Sequence, residues 1–344
     1  MIMRKMGLIL LTLLLFIISG CSSSTTTTGV NTPIPISDLL ANNGQKYPVT
    51  PTPFQPLLSV NHLDVTSTGE PAVIPTPTET GIISLGLERP EGQINILLFG
   101  SDWRPGQGYR TDVIMLLSLI PDEGIATLTS FPRDLYVDIP GIGYERINAA
   151  QAYGGFALTQ ETFEYNFDAP VDYYMMTNFS GFESIIDTLG GITVNAAYEL
   201  YDRCDLPQAV NKMCYVPAGQ TTMDGATALW YVRSRYSTDD FDRTRRAQEV
   251  ILAIIKKTMS LDALNRAAEL YDLFQYSVET DIPLDIIIKL LPIASDIAQN
   301  PSIIQQYAIT ESDITHYVVP VTGAMVLIPH NEAVANIIRK AIYP

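Results

Sequence analysis

Hydrophobic and polar positions change their texture along this chain. An unbroken apolar run, GLILLTLLLFII (Gly7–Ile18), stands near the start. From Ser22 to about Arg89 the apolar residues lose any period among serine, threonine and proline, as in SSSTTTTG, YPVTPTPFQP and VIPTPTETG. That texture belongs to an extended tether rather than a core. From Gln93 the pattern becomes globular. INILLFG, a short apolar run ending in glycine, predicts a buried strand. DVIMLLSLI and GIATLTSF flank Pro121-Asp122-Glu123-Gly124 and predict a hairpin.

A helix around Ala149–Phe167 follows, then a strand DYYMMTNF, a helix GFESIIDTL and a strand GITVNA. MDGATALWYVR reads as helix, as does the segment from Asp242 to about Met259. The remainder, to Pro344, predicts two or three helices, a strand HYVVPV and a last helix from about Asn331. Alternating strands and helices define an α/β fold in three layers, a central mixed β-sheet flanked by helices. No linker precedes the C-terminal extension 261–344, so it joins the same single domain, expected at 89–344.

The start of the chain sets the expected compartment. Arg4 and Lys5 precede the apolar run, and Ser19-Gly20-Cys21 follows it. A charged start, a short apolar core and small residues before a processing point describe a secretory signal peptide at 1–20. Ile-Ser-Gly-Cys resembles the bacterial lipobox, which makes Cys21 a lipidated mature N-terminus followed by a linker to residue 88. The other reading is an uncleaved signal anchor with an incidental cysteine. The expected place is extracytoplasmic, anchored to the membrane as a lipoprotein. There Cys204 and Cys214, ten apart, suggest a local disulfide rather than free thiols. A zinc site is disfavoured, since none of His62, His316 and His330 is near the pair in sequence.

Composition narrows the partners. A formal net charge of −16 argues against nucleic acid, whose phosphates are held by surplus positive charge. Against that background Arg233, Arg235, Arg243, Arg245 and Arg246 crowd into fourteen positions, in a chain with 21 Lys+Arg in 344 residues. On the predicted helix, Ala247, Val250, Ile251, Ile254 and Ile255 form the inward stripe. Arg243 falls on that stripe, Arg246 flanks it and Arg245 falls opposite. Three cations in a first turn oppose the helix dipole unless an anion is present. Local pairing with Asp239, Asp240 and Asp242 is the plain alternative. Arg233 and Arg235, two apart in an extended exit from the preceding helix, would point the same way.

A second charged group belongs to the predicted hairpin. INILLFG delivers Asp102 and Arg104, and the loop PGQGYRTD returns through Arg110 and Asp112. Antiparallel pairing sets Asp112 beside Arg133, at the end away from the turn. Arginine suits bidentate binding of phosphate oxygens, and two nearby carboxylates suit Mg²⁺. Together they describe a pyrophosphate pocket. No Gly-rich GKS/T loop and no Ser/His/Asp constellation offers another chemistry.

The segments NILLFGSDWR with YRTDVIMLLS, SFPRDLYVDIPG, RINAAQAYGG, FSGFESIIDTLGGITV, MDGATALWYVRSR and DFDRTRR resemble the LytR–CpsA–Psr family of envelope glycopolymer transferases. They run in family order over 93–257, and TDIPLDIIIKL resembles the family's tail region. The resemblance implies one domain outside the membrane. It would transfer a glycopolymer from an undecaprenyl-pyrophosphate carrier to a hydroxyl of peptidoglycan or another wall glycan, with the polyprenyl chain in an apolar pocket. Family pyrophosphate arginines match Arg110, Arg133, Arg233, Arg235 and Arg243, with Arg104 and Arg246 close by. Magnesium-linked carboxylates match Asp102 and Asp112, and Asp240 matches an aspartate before the last arginines. The implied catalytic set is Asp102 as base, with Arg133 and Arg243. Two departures stand out: Ala247 occupies the family's usual glutamine position, with Gln248 next to it, and a lipobox replaces the usual transmembrane helix. The alternatives are a non-catalytic or regulatory binder of polyprenyl-pyrophosphate lipids, and a pyrophosphate hydrolase.

Overall fold

The computed structural model describes residues 85–103, 110–260, 265–266, 270 and 274–344. The leader, Cys21, the linker to residue 84 and Arg104 lie outside the described residues. Among the described residues no helix is long and apolar enough to cross a membrane.

The predicted strand and hairpin form the middle of the sheet. β1 (Ile94–Ser101) pairs antiparallel with β2 (Thr111–Ile120), and β2 with β3 (Ile125–Phe131). The turn at Pro121–Glu123 closes on Gly124, whose φ of 68° is a left-handed conformation that glycine adopts without steric cost. Past β3 the chain makes a small hairpin the sequence pattern did not predict, β4 (Tyr136–Ile139) with β5 (Gly143–Arg146). The expected first helix is α1 (Ala149–Phe167), broken at Gly155, where φ 63° and ψ −156° leave helical space. β6 (Tyr173–Asn178) leads to α2 (Phe179–Thr188), capped by the Asn178 side chain accepting from Gly181 N.

Two short ribbons follow. β7 (Ile192–Ala196) later pairs with β10 (Gly219–Met223), and between them β8 (Leu200–Arg203) pairs with β9 (Met213–Val216). α3 (Gly225–Arg233) packs close on α2: a Cβ at Gly225 would meet the Glu183 carbonyl oxygen at 2.4 Å. α4 (Asp240–Thr258) starts two residues earlier than its stripe suggested, because Asp239 caps it by accepting from Asp242 N at 2.7 Å.

The C-terminal part departs most from expectation. β11 (Glu279–Thr280) and α5 (Leu284–Gln299) precede β12 (Ile304–Ala308), a strand read beforehand as part of a helical stretch. β12 leaves Gln305 and Gln306 exposed, as an edge strand can, so its apolar alternation is weak. HYVVPV begins inside β13 (Ile314–Val318) and runs into the turn before β14 (Met325–Pro329), and α6 (Asn331–Ile342) closes the chain.

The central sheet has the order β11-β6-β1-β2-β3-β12. β1 runs parallel to β6 and β3 parallel to β12, so the sheet is mixed. Strand alternation splits the core in two. Leu97, Phe99, Ile114, Leu116 and Phe131 face α1 and α6, where the Phe131 and Phe163 rings meet edge-on at 4.9 Å. Met115 and Leu128 face the other way, toward Ile186 of α2, Val250 of α4 and Ile293 of α5. Helices therefore cover both faces, the expected three layers.

Candidate functional site

Asp112 and Arg133 meet as hairpin pairing predicts. Ile114 is the register partner of Phe131, and the strand ends beyond them carry Asp112 Oδ1 into a hydrogen-bonded ion pair with Arg133 Nη1. The β1–β2 register slips here, Gly100 facing Val113 and Ser101 facing Thr111, so Asp112 is the skipped residue of a β-bulge. A bulge re-aims a side chain and breaks pairing, which turns the Asp112 carboxylate out of the ladder toward Arg133. Arg133 Nε lies 3.4 Å from Asp134 Oδ2 but makes no hydrogen bond there, although the atom is buried. Asp134 is shared with Arg146 at 3.2 Å. Burial works against the charge on Arg133, yet the Asp112 hydrogen bond and charge, with Asp134 and Asp240, outweigh it and hold the guanidinium more firmly protonated than usual.

α4 brings Arg243 to the same place. Its side chain is 12 % exposed and its nearest anion is Asp240 Oδ2 at 3.5 Å. Burial dominates and pushes its pKa down; Asp240 partly offsets this, while the charges of Arg133 and Arg235 push the same way as burial. Arg243 is thus an under-compensated cation in a first helical turn.

These side chains line a cavity of about 520 Å³. Asp112, Arg133, Asp134, Asp239, Asp240, Arg243 and Glu311 give it charge, while Met115, Phe131, Phe241, Ala247, Val326 and Leu327 give it an apolar wall. Part of that wall is the β13–β14 ribbon, held by Leu327 N donating to Asp134 O at 2.9 Å and by Arg146 donating to Met325 O at 2.7 Å. Tyr317, from the same ribbon, also lines the cavity, and its buried hydroxyl makes no hydrogen bond among the described residues. The sequence pattern predicts HYVVPV as a strand but assigns no residue of this ribbon to the site. ITHYVV and MVLI around Thr322-Gly323 do carry a hairpin signal, but nothing in that pattern says what the hairpin covers.

The other predicted residues fall in several places. Arg110 is exposed; its backbone N donates to Asp102 Oδ1 at 2.7 Å and its guanidinium lies 3.9 Å from Asp102 Oδ2. Arg235 is exposed in the loop before α4, close enough for its charge to act on Arg243. Arg233 ends α3 with its guanidinium 4.1 Å from the Phe179 ring centroid, so it does not leave an extended segment in step with Arg235.

Arg246 requires correction. It is 1 % exposed and donates to the carbonyls of Tyr231 and Ser234, to Thr238 Oγ1 at 2.9 Å and to Asp242 Oδ2 at 3.2 Å. It braces the loop between α3 and α4 from inside and presents nothing to the cavity. The stripe was misplaced because the buried face of α4 runs through Arg246, Val250 and Ala253, whereas Ile251, Ile254 and Ile255 are only partly buried. Arg245 faces away from the cavity, paired with Asp242 and Glu249. Gln248 does not replace the missing pocket glutamine either: it donates to Ser130 Oγ and Tyr307 O, both at 2.8 Å, and ties α4 to β3 and β12. Ala247 is what lines the cavity.

For a divalent cation the donor set is Asp102 and Asp112, on either side of the Ser101–Thr111 register pair. Among the described residues each has one carboxylate oxygen in a hydrogen bond and a second oxygen outside any, and the buried Thr111 Oγ1 has no partner. Hard oxygens of this kind fit Mg²⁺, which takes one or two carboxylates together with substrate phosphates. Among the described residues no group of three or more His, Cys, Asp or Glu forms a closed metal cage. Away from the cavity, Cys204 and Cys214 are joined, with Cα atoms 5.7 Å apart.

Fold and cavity define a three-layer α/β protein with a charged, partly apolar cavity on which two arginines converge. The chain belongs to the LytR_cpsA_psr family, whose model matches residues 68–341. It is 35 % identical over 214 residues to TagU of Oceanobacillus iheyensis, described as a polyisoprenyl-teichoic acid–peptidoglycan teichoic acid transferase. That match covers 60 % of this chain and 64 % of the relative. TagT of Bacillus subtilis, described in the same terms, is 33 % identical over 214 residues, covering 61 % and 66 %. The chain thus spans slightly under two thirds of the length of these relatives. Among solved structures, B. subtilis TagV superposes with a TM-score of 0.60 at 25 % identity, covering 74 % of this chain and 98 % of that one. TagT bound to LIIa-WTA superposes with a TM-score of 0.57 at 26 % identity, covering 78 % and 98 %.

Proposed function

We propose that this protein transfers a glycopolymer from a polyprenyl-pyrophosphate carrier to a hydroxyl of a wall glycan. The observation that carries the reading is the convergence of Arg133 and Arg243, from different elements, on one cavity that also has an apolar wall. A pyrophosphate between them would meet the Arg133 guanidinium and an Arg243 that its own carboxylate leaves under-compensated. The cavity volume lies in the range that encloses a drug-sized ligand, so it takes the head and first units of the carrier rather than the whole chain. The relatives' names, as polyisoprenyl-teichoic acid–peptidoglycan teichoic acid transferases, support this substrate class.

In the proposed step the acceptor hydroxyl oxygen attacks the phosphorus that carries the glycan. The bond from that phosphorus to the bridging oxygen breaks, and polyprenyl phosphate leaves. The hydroxyl proton passes to Asp102, and the product is a phosphodiester between glycan and acceptor. Arg133 and Arg243 stabilise the charge that moves onto the leaving phosphate. Arg110 and Arg235, both exposed, would bind the glycan-bearing phosphate. Mg²⁺, held by Asp102 and Asp112, would supply further neutralisation of the pyrophosphate.

Lipidation of Cys21 would place the enzyme on the membrane that holds its carrier, raising effective concentration without altering chemistry. Cys21→Ala should then release protein from membranes yet keep activity on detergent-dispersed substrate. The transfer itself is tested with purified protein, a labelled lipid-linked glycan and a wall glycan. Label should move to the wall only when both are present. Release of free glycan phosphate without an acceptor product would identify a hydrolase, and a bound but unchanged lipid a non-catalytic binder.

A further inference from the structure

The β8–β9 ribbon carries a second built surface outside the cavity. Its residues alternate: Leu200, Asp202, Cys214 and Val216 are buried, while Tyr201, Arg203 and Tyr215 face out. Tyr201 and Tyr215 are direct register partners, so their side chains stand together on the outer face, 58 % and 56 % exposed. Arg203, two residues along, lies 3.7 Å from the ring centroid of Tyr236, which is itself 68 % exposed. The Tyr215 hydroxyl donates to Glu199 at 2.9 Å.

This surface is fixed in place and joined to the arginine cluster. Buried Asp202 accepts from the backbone N–H of Tyr236 at 3.0 Å and of Ser237 at 3.4 Å, tying the ribbon to the loop before α4. Cys204 and Cys214 close the ribbon's own loop. Tyr236 follows Arg235 directly, and the charge of Arg235 acts on Arg243 in the cavity wall. None of Tyr201, Arg203, Tyr215 and Tyr236 is among the residues lining the cavity.

Exposed tyrosines on a rigid ribbon give large amphipathic area at low entropic cost. Their ring faces suit the C–H faces of sugar rings, and the flanking hydroxyls, carboxylate and guanidinium suit sugar hydroxyls. From Arg203 to Tyr201 the strand advances about 7 Å, so the surface has the reach of a short saccharide rather than one small ligand. We propose that it docks the glycan strand that receives the transferred polymer, an inference that rests on the transferase reading for its role. The acceptor is chosen over the donor glycan because the donor is already positioned through its covalent link to pyrophosphate and lipid. The acceptor has no such link and needs a surface of its own beside the reacting phosphate.

The test uses the full chain in detergent, with peptide-free glycan strands released from peptidoglycan as the probe. Tyr201→Ala/Tyr215→Ala should weaken glycan binding about tenfold, as loss of two ring contacts implies. Tyr201→Phe/Tyr215→Phe should keep most of it, since the faces remain. The thermal shift produced by a polyprenyl-pyrophosphate lipid with Mg²⁺ should be unchanged in both. Glycan binding equal in wild type and the alanine pair, or absent from both, overturns the proposal. So does simultaneous loss of glycan binding and lipid shift, which would make the tyrosines structural. If wild type shows no lipid shift but its glycan binding still depends on the tyrosines, the transferase reading fails and the glycan surface stands.

Discussion

Replacing Arg243 with alanine separates a ligand-binding arginine from a structural one. Among the described residues Arg243 of the free protein has one ion pair, with Asp240 at 3.5 Å, an i,i+3 pair whose carboxylate is 45 % exposed. Such a pair contributes about 0.3–0.5 kcal/mol. Against it stand the helix dipole, which costs about 0.3–1 kcal/mol for a cation in the first turn, and repulsion from Arg133 and Arg235. The two sides nearly cancel, so the variant without ligand should melt within a degree or two of wild type. Bound to pyrophosphate, Arg243 contributes a charge-assisted contact of about 1.5–3 kcal/mol, or roughly 10- to 150-fold in affinity. At a lipid concentration about 100 times the dissociation constant, wild type gains about 2.7 kcal/mol of stability. A hundredfold weaker variant gains about 0.4 kcal/mol under the same conditions. For a domain of this size that difference reduces a shift of roughly 5–11 °C to about 1–2 °C. The assay is a thermal melt with and without a polyprenyl-pyrophosphate lipid and Mg²⁺. Arg245→Ala is the control: its pairs with Asp242 and Glu249 make it costly to remove, contrary to the neutral effect its outward position alone suggests, yet its lipid shift should be full. An Arg243→Ala protein that melts far lower without lipid and keeps the full shift would refute the pocket.

Three further outcomes follow from the structure. Arg246→Ala should lose about 3–5 kcal/mol in chemical denaturation, because buried acceptors on Tyr231 and Ser234 lose their donor, while the lipid shift of the folded fraction persists. Thiol counting on unreduced mature protein should find neither Cys204 nor Cys214 free, and reduction should cost about 2–3 kcal/mol for so short a loop. Asp224 caps α3, and the hydrogen bonds of Thr227, side chain before backbone, hold its pKa below the ordinary aspartate value. A depressed folded value means this stabilisation is present at neutral pH and is lost as pH falls through it. Asp224→Ala should therefore cost about 1 kcal/mol at pH 7 and less in strong acid, and an equal loss at both pH values would contradict the linkage.

The parts of the site that were readable from sequence rest on local geometry. Hairpin pairing sets Asp112 against Arg133 from the turn alone, and the three layers follow from the alternation of strands and helices. What was not readable depends on which face wins burial. Arg246 and Arg243 differ by less than one turn, and the choice between inward brace and cavity wall was decided by two carbonyls at the C-terminal end of α3, those of Tyr231 and its cap Ser234. Gln248 likewise looked like a displaced pocket residue, but carbonyls of β3 and β12 compete for its amide. β12 itself was hidden because adjacent Gln305 and Gln306, both exposed, break the alternation of period two that would mark a strand. The β13–β14 wall needed tertiary contact: its link to the site is a backbone bond from Leu327 to Asp134, which no spacing rule encodes.

The same pairings explain how an acidic protein can hold an arginine cluster ready for an anion. Each cavity arginine has a carboxylate partner, Asp112 and Asp134 for Arg133 and Asp240 for Arg243, so repulsion between the guanidinium groups is offset without ligand. The offset is unequal. Arg133 is over-compensated and Arg243 under-compensated, as their opposite pKa directions record. An anion contacting only Arg133 would compete with carboxylates already in place and gain little. One that spans to Arg243 meets a cation whose partner is longer and more exposed. Two linked phosphates offer each guanidinium its own oxygens and carry more charge than one, so the proposed pocket is expected to prefer pyrophosphate to orthophosphate. Inorganic phosphate should accordingly compete poorly with the lipid in the melt, and efficient competition at equal concentration would show that the pocket reads charge alone.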